Sequence, residues 1–242
     1  MPKIVEVLPD KESLIQRSLT LVMEKLQAAL DARGHCTIAL SGGSTPKPLY
    51  EQLATQSLPW DKVQVFWGDE RYVPADHADN NARMARQAWL DLVPMPPANI
   101  HPMPTDGADP AADAQRYEGH LREFFHTQPG EFPTLDVVLL GIGDDGHTAS
   151  LFPHTQALQV CDRLITVGEK DGQPRLTFTV PLINQAACVV FIVSDASKRP
   201  ALTQVFAPIA DNESYPSRLI QPQGELYWLL DAAAGLELNQ KG

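Results

Sequence analysis

The chain has 242 residues, of which 43% are hydrophobic and 20% charged, and its formal net charge at pH 7 is −11. That length is enough for one large domain with a full core, and no apolar run approaches the ~18 residues of a membrane span. The acidic balance argues against nucleic acid or an anionic membrane as partner, although a local cationic cluster can still bind a small anion.

The N-terminal residues reach charged side chains at once and contain no apolar segment of the signal-peptide type. The cysteines Cys36, Cys161 and Cys188 are far apart and lie in or beside apolar runs. This distribution is typical of reduced core thiols rather than of disulfides or a metal site. We therefore expect a cytoplasmic protein.

Strand-like and helix-like patterns alternate along the chain. Helices are predicted at 15–30 with a C-cap at Gly34, from Pro46 and Pro48 onward, at 80–92, and from an N-cap at Asp109 through 124. Strands are predicted at 37–40, 63–67, 135–140, 176–180, 188–193 and 226–230. The alternation predicts a doubly wound α/β fold, with a mostly parallel sheet, helices on both faces, and one domain over residues 1–242.

Three unusual segments directly follow predicted strands. They are Ser41-Gly42-Gly43-Ser44-Thr45, Gly68-Asp69-Glu70-Arg71 and Gly141-Ile142-Gly143-Asp144-Asp145-Gly146-His147. Ligands of such sheets bind outside the carboxyl ends of the strands, so we expect all three segments at one edge of the sheet.

The first segment suits a phosphate group. Its glycines allow close approach of backbone N–H groups, the next helix begins there, and Ser44 and Thr45 add hydroxyl donors. The P-loop order of residues is absent, which argues against a nucleoside triphosphate. An ordinary strand–helix turn with a serine cap fits this segment equally well.

The third segment formally matches GxGxxG, but Asp144 and Asp145 would press carboxylates against a pyrophosphate, and Pro153 leaves little room for the required helix. His147, with acids two and three residues earlier, is equipped to act as a general base. A structural role as a polar turn residue is the commoner explanation for such a histidine taken alone.

Arg71, Lys198 and Arg199 follow predicted strands, and Arg175 opens one, so each could bind a phosphate, although Arg175 also fits an ordinary surface position. Asp69, Glu70 and Arg71 also fit a solvated charge cluster, and Asp79, Asn80 and Asn81 fit helix caps. There is no GxSxG elbow, and the acids and histidines near 144–154 have no recognised metal-ligand spacing.

Five stretches in this order resemble the 6-phosphogluconolactonases of the glucosamine-6-phosphate isomerase superfamily: ALSGGSTPKPLYEQLA, VFWGDERYVP, LLGIGDDGHTASLFP, RLTFTVPLINQA and VSDASKR. The resemblance implies hydrolysis of 6-phospho-D-glucono-1,5-lactone to 6-phosphogluconate, in the oxidative pentose phosphate pathway, without metal or nucleotide cofactor. It places Ser41, Gly42, Gly43, Ser44 and Thr45 in a phosphate-binding turn.

The same resemblance assigns further roles residue by residue. It implies phosphate contacts for Arg175 and Lys198, a catalytic base at His147 with Asp145 beside it, and substrate contacts for Asp69 and Arg71. Arg71 or a backbone N–H of the glycine loops could stabilise the oxyanion, and the sequence does not choose between them.

The sister activity, isomerisation and deamination of glucosamine 6-phosphate, is the nearest rival. Those enzymes carry a carboxylate where this chain has Phe152, and they lack an arginine at the position of Arg71. A non-catalytic sugar-phosphate sensor would use the same turn but would have no need of His147. An oxidoreductase is a more distant alternative.

Overall fold

The computed structural model describes residues 3–236 of the chain. The strands are β1 (Lys3–Leu8), β2 (Cys36–Leu40), β3 (Val63–Trp67), β4 (Asp69–Arg71), β5 (Val137–Leu140), β6 (Ile165–Lys170), β7 (Gln173–Phe178), β8 (Cys188–Val193) and β9 (Glu225–Asp231). The α-helices are α1 (Lys11–Arg33), α2 (Lys47–Leu53), α3 (Asn81–Ala85), α4 (Pro110–Phe125), α5 (Val180–Asn184), α6 (Arg199–Val205) and α7 (Ala232–Gly235). Within this range, no helix is long and apolar enough to cross a membrane.

The main sheet has six strands in the order β1-β9-β8-β5-β2-β3, and every pairing in it is parallel. From β2 the chain moves outward to β3, then returns to the other side of β2 at β5. The direction of winding therefore reverses between β2 and β5, which confirms the predicted doubly wound fold. A crevice at the carboxyl ends of these two strands is where this class of sheet binds ligands.

Burial explains why the central strands read as unbroken apolar runs. Every residue of β2, β5 and β8 is buried, as expected where helices cover both faces of a parallel sheet. Helix α1 packs on this sheet through Leu14, Val22 and Leu26, all fully buried. Its C-terminal end agrees with the sequence prediction, because Gly34 closes the helix at φ 75°, whereas its start at Lys11 precedes the predicted residue 15 by about one turn.

A second, three-stranded antiparallel sheet has the order β4-β7-β6. Gly68 joins the two sheets: its N–H donates to the Leu40 carbonyl at 2.9 Å, and its carbonyl accepts from Phe178 N–H at 2.8 Å. The chain thus leaves the main sheet at β3 and enters the small sheet at β4 without an intervening loop.

Several details differ from the sequence prediction. The strand predicted at 176–180 lies at Gln173–Phe178, in the small sheet, so Arg175 is inside a strand rather than opening one. The helix predicted at 80–92 is α-helical only over Asn81–Ala85, and it widens to one π-helical turn at Arg86–Leu90. Cys161 is exposed rather than part of the core. Strands β1 and β6 had no clear signal, since each mixes charged and apolar residues at a sheet edge.

Candidate active site

A cavity of about 290 Å³ opens at the carboxyl ends of the main-sheet strands, at the β2–β5 crevice. Its walls contain almost all the predicted site residues: Ser41, Gly42, Gly43, Ser44, Thr45, Asp69, Arg71, His147, Arg175 and Lys198. Asp145 lies behind His147, outside the wall. Larger grooves exist elsewhere, such as one of about 570 Å³ beside Trp228, but they do not gather these segments.

Tyr50 of α2 holds the glycine turn after β2 through two hydrogen bonds. The buried Tyr50 hydroxyl donates to the Ser41 carbonyl at 2.7 Å and accepts from the Ser41 N–H at 3.1 Å. Gly43 has φ 94°, a backbone conformation that residues other than glycine rarely adopt. The following helix α2 has only seven residues, so we assign no separate anion site to its N-terminus. The donors available here are the backbone N–H groups of the turn and the hydroxyls of Ser44 and Thr45.

Asn81 lies between this turn and β4 and lines the cavity there. A Cβ on Gly42 would lie 1.9 Å from Asn81 Oδ1, so only glycine leaves room for the amide. Asn81 Nδ2 in turn donates to the Asp69 carbonyl at 3.0 Å. The sequence prediction placed Asn81 in a helix cap. Asn80 does cap α3, accepting from Arg83 N–H at 2.8 Å, whereas Asn81 lines the cavity.

Strand β4 carries three charged residues with different environments. Asp69 is buried and accepts a hydrogen bond of 2.6 Å from the Ser150 hydroxyl. The guanidinium of Arg71 is held by the Asp79 carbonyl at 2.9 Å. Asp69 and Arg71 therefore form a fixed part of the cavity wall rather than a solvated cluster.

Glu70 is fully buried between these two residues and does not face the cavity. Its carboxylate accepts from the backbone N–H groups of Arg71, Asn81 and Ala82 at 2.8–2.9 Å. Burial raises the pKa of Glu70 to about 7, against the lowering effect of these three hydrogen bonds. The residue fastens the first turn of α3 to β4.

His147 is oriented by Asp145. The imidazole Nδ1 lies 2.5 Å from Asp145 Oδ1, and the same oxygen accepts from the His147 backbone N–H at 3.1 Å. Partial burial raises the pKa of Asp145, but the hydrogen bond and charge of His147 outweigh it and hold that pKa below its usual range. An ionised carboxylate only accepts, so Nδ1 carries the hydrogen and Nε2 keeps its lone pair in the neutral ring.

The glycines of the GxGxxG match serve this histidine. A Cβ on Gly143 would lie 2.1 Å from His147 Nδ1, and Gly146 adopts φ 82° directly against Tyr215. After Gly146 the chain continues in turns up to a short 3-10 segment, Gln156–Gln159, and no α-helix starts at the motif. The glycines make room for an imidazole and a tight turn, a role unlike that of a dinucleotide loop.

Two arginines lie directly opposite each other at the cavity, since Arg71 of β4 pairs with Arg175 of β7. Burial, followed by the charge of Arg71, lowers the pKa of Arg175. Its guanidinium also lies 5.4 Å from the centre of the Phe152 ring, and the same ring lies 4.5 Å from the His147 ring. Arg71 and Arg175 thus bring two positive charges to this edge of the cavity, where Asp69 also lies.

Lys198 reaches the cavity from the 3-10 turn Ala196–Lys198, which Asp195 caps. Its ammonium lies 2.5 Å from Asp144 Oδ1, and the hydrogen bond and charge of this lysine hold the pKa of Asp144 below its usual range. An anion entering the cavity would compete with Asp144 for Lys198. Within residues 3–236, no group of three or more His, Cys, Asp and Glu side chains is arranged to hold a metal ion.

Nothing in the sequence indicated Ser150, and the sequence pattern did not predict the supporting roles of Glu70, which stood in a charged segment, or of Asn81, which was expected in a helix cap. Each is buried and acts on a neighbouring residue of the site, so its role depends on contacts that the sequence pattern does not show. A buried Asp-Glu pair directly after an apolar strand was the only available signal.

The family model for glucosamine-6-phosphate isomerases and 6-phosphogluconolactonases matches residues 9–228. The chain is 67% identical to a 6-phosphogluconolactonase of Nostoc sp. over 99% of this chain and 100% of that protein. It is 64% identical to one of Synechocystis sp., over 97% and 98% of the two chains. The solved structure of the 6-phosphogluconolactonase of Trypanosoma brucei superposes with a TM-score of 0.85 at 30% identity, covering 98% of this chain and 99% of that one.

Proposed function

Because the chain belongs to the family of glucosamine-6-phosphate isomerases and 6-phosphogluconolactonases, we propose that it hydrolyses 6-phospho-D-glucono-1,5-lactone to 6-phosphogluconate, as the names of its relatives indicate. The observation that carries the proposal is the His147–Asp145 pair, whose imidazole faces the same cavity as the Ser41–Thr45 turn and the cations Arg71, Arg175 and Lys198. We further propose that residues 1–242 form one domain. We also propose that the protein acts in the cytoplasm, in the oxidative pentose phosphate pathway, and that its substrate is a free sugar phosphate.

The phosphate of the substrate would bind at the cationic side of the cavity. The N–H groups and hydroxyls of the turn from Ser41 to Thr45 supply donors, and Arg175 and Lys198 supply charge. The placement of Arg175 directly opposite Arg71 supports this site, because like charges across a strand pair repel and an anion bound beside Arg175 would reduce that repulsion.

The histidine would act on water. In the neutral ring Nε2 accepts a proton as the water oxygen attacks the lactone carbonyl carbon, and Asp145 stabilises the imidazolium that results. The ring C–O bond then breaks, and the imidazolium returns the proton to the leaving ring oxygen. The products are a hydroxyl and a carboxylic acid, which ionises. The acyl carbon is already electrophilic, so neither metal, nucleotide nor covalent nucleophile enters the proposed path.

Arg71 is the best-placed side chain for the tetrahedral oxyanion, because its guanidinium is fixed by the Asp79 carbonyl and lines the cavity. Asp69, held by Ser150, is placed to orient a substrate hydroxyl or the water. The residue before Pro153 is Phe152, which cannot assist sugar-ring opening as an isomerase carboxylate would.

The test generates the lactone in place with glucose-6-phosphate dehydrogenase and follows proton release with and without this protein. We expect 6-phosphogluconate to form well above the rate of spontaneous hydrolysis. Turnover of glucosamine 6-phosphate, with no acceleration of lactone hydrolysis, would assign the site to the sister activity instead.

A further inference from the structure

The hairpin of β6 and β7 brings Lys170 to the edge of the candidate site. Its tip is the turn Asp171–Gly172, with φ angles of 54° and 74°, the pair of positive values that suits a two-residue hairpin turn. Lys170 precedes this turn and pairs with Gln173 across it. Hairpin geometry, rather than a loose loop, therefore sets the position of this lysine.

Gly168 determines which face of the hairpin meets the site. A Cβ on Gly168 would lie 2.1 Å from the Ser150 carbonyl oxygen, so β6 touches the loop that follows His147 at this point. Side chains alternate along a strand, so Lys170 lies on the same face as Gly168, and Glu169 lies on the opposite face. The ammonium is thereby directed toward the His147 loop.

The contacts of Lys170 agree with this geometry. Its Nζ lies 3.7 Å from Asp145 Oδ2, while the other oxygen of the same carboxylate bonds His147 Nδ1 at 2.5 Å. The Nζ also lies 5.4 Å from the centre of the Phe152 ring, which packs against the imidazole. The Asp145 carboxylate thus lies between two groups, with the Lys170 ammonium near one oxygen and the His147 imidazole bonded to the other.

We propose that Lys170 is a positioning residue acting through Asp145: its ammonium offsets part of the carboxylate charge and so limits how readily His147 holds a proton at neutral pH. The proposal rests on the proposed function, in which His147 is the base. A carboxylate beside an imidazole favours the charged ring, and the charged ring has no lone pair with which to accept a proton from water. A nearby cation moves this balance back toward the neutral ring.

Other charges around the pair are engaged elsewhere. Lys198 is paired with Asp144, Asp69 with Ser150, and Arg71 with the Asp79 carbonyl. Arg175 approaches the pair only across the Phe152 ring. Among residues 3–236, Lys170 is the one lysine or arginine whose nitrogen lies within 4.0 Å of an Asp145 oxygen. Removing the Lys170 ammonium should therefore change the electrostatic potential at the Asp145 carboxylate more than removing any of these other charged groups would.

The experiment titrates the His147 ring by NMR in the free enzyme, with the signal assigned from the spectrum of His147→Asn. In Lys170→Met, the midpoint should move to higher pH by about 0.3–1 unit, a Coulomb effect reduced by the partial exposure of both groups. Lys170→Arg should restore the wild-type midpoint. Lys62→Met is the matched control, because it removes one positive charge at an exposed position outside the cavity wall.

The acidic limb of the kcat/KM profile should move with the NMR midpoint, while the plateau at high pH stays within about twofold. An unchanged midpoint in Lys170→Met, or an equal shift in Lys62→Met, overturns the proposal. If the NMR midpoint moves and the activity profile does not, the electrostatic effect of Lys170 is supported, whereas His147 as the base of the proposed function is contradicted.

Discussion

Arg71 and Arg175 are partners in the antiparallel pairing of β4 and β7, so two positively charged side chains stand directly opposite each other. Like charges directly opposite each other weaken a strand pair, and the free energy of that repulsion is recovered when an anion binds. The phosphate of the proposed substrate is such an anion.

We expect Arg175→Ala and Lys198→Ala each to raise KM while changing kcat little, with a loss of about 1.5–3 kcal/mol in binding free energy. The phosphate is remote from the reacting carbon, so its contacts are the same in the ground and transition states. Steady-state kinetics with enzymatically generated lactone measure both constants. Arg163→Ala, on an exposed arginine outside the cavity wall, is the control. An unchanged KM in both cavity variants would move the phosphate site elsewhere.

His147→Ala should fold normally and lose about 10²- to 10⁴-fold in kcat, the usual range for a positioned general base. His147→Asn should be nearly as poor, since an amide cannot take up a proton. Affinity for 6-phosphogluconate, measured by calorimetry, should remain within a small factor of wild type because the phosphate contacts are elsewhere. Turnover at the wild-type rate in the asparagine variant would exclude His147 as the base and leave Asp69 and Asp145 as candidates.

Gly42→Ala should reduce kcat/KM by about tenfold or more. The new Cβ would overlap Asn81 Oδ1, and displacing this buried amide breaks its hydrogen bond to the Asp69 carbonyl. Gly43→Ala is the matched variant: it meets no atom within 4 Å but requires a strained φ of 94°. Combining Asn81→Ala with Gly42→Ala should recover part of the loss, measured as a coupling in a double-mutant cycle. Strictly additive effects would show that the overlap does not matter.

The stability of the fold should fall in acid through His101. Burial, together with the charge of His120, lowers the pKa of His101 to about 4. Between pH 6.5 and 4 the unfolded chain therefore binds more protons at this residue than the native state does, so the free energy of unfolding decreases as pH falls. We expect a loss of about 2 kcal/mol between pH 7 and 5 from this group.

Urea unfolding of wild type and His101→Gln at the two pH values isolates the contribution of His101. The variant should lose less stability on acidification than wild type, whereas His35→Gln, on an exposed histidine, should behave as wild type does. Equal losses in wild type and His101→Gln would contradict the assignment.

Chelation by EDTA should leave the activity intact, and NAD(P) should neither bind nor be required. No metal-holding cluster occurs among residues 3–236. Gly143 packs against the His147 imidazole and Gly146 against Tyr215, so neither is available to approach a pyrophosphate. Activity after dialysis against EDTA and NADPH fluorescence are the measurements. Loss of activity that a divalent metal restores would refute this expectation.

The sequence predicted the fold class and the position of the cavity because both depend on local patterns. Buried parallel strands read as apolar runs, and polar segments directly after them mark the sheet edge where the cavity lies. The small sheet was not predicted, since β4 is a charged segment of three residues and β6 alternates polar and apolar residues at an edge. The roles of Glu70 and Ser150 depend on contacts between distant parts of the chain, and no local pattern encodes them.

The two hydrogen bonds of Gly68 have a consequence for how the protein opens. Because its N–H pairs with β2 and its carbonyl with the end of β7, the peptide groups around it are shared by both sheets. Neither sheet can separate at this point without breaking bonds of the other, so the wall that carries Arg71 and Arg175 should not fray independently of the core. In amide hydrogen exchange, Gly68 and Phe178 should be among the slowest protons, exchanging only when the whole molecule unfolds.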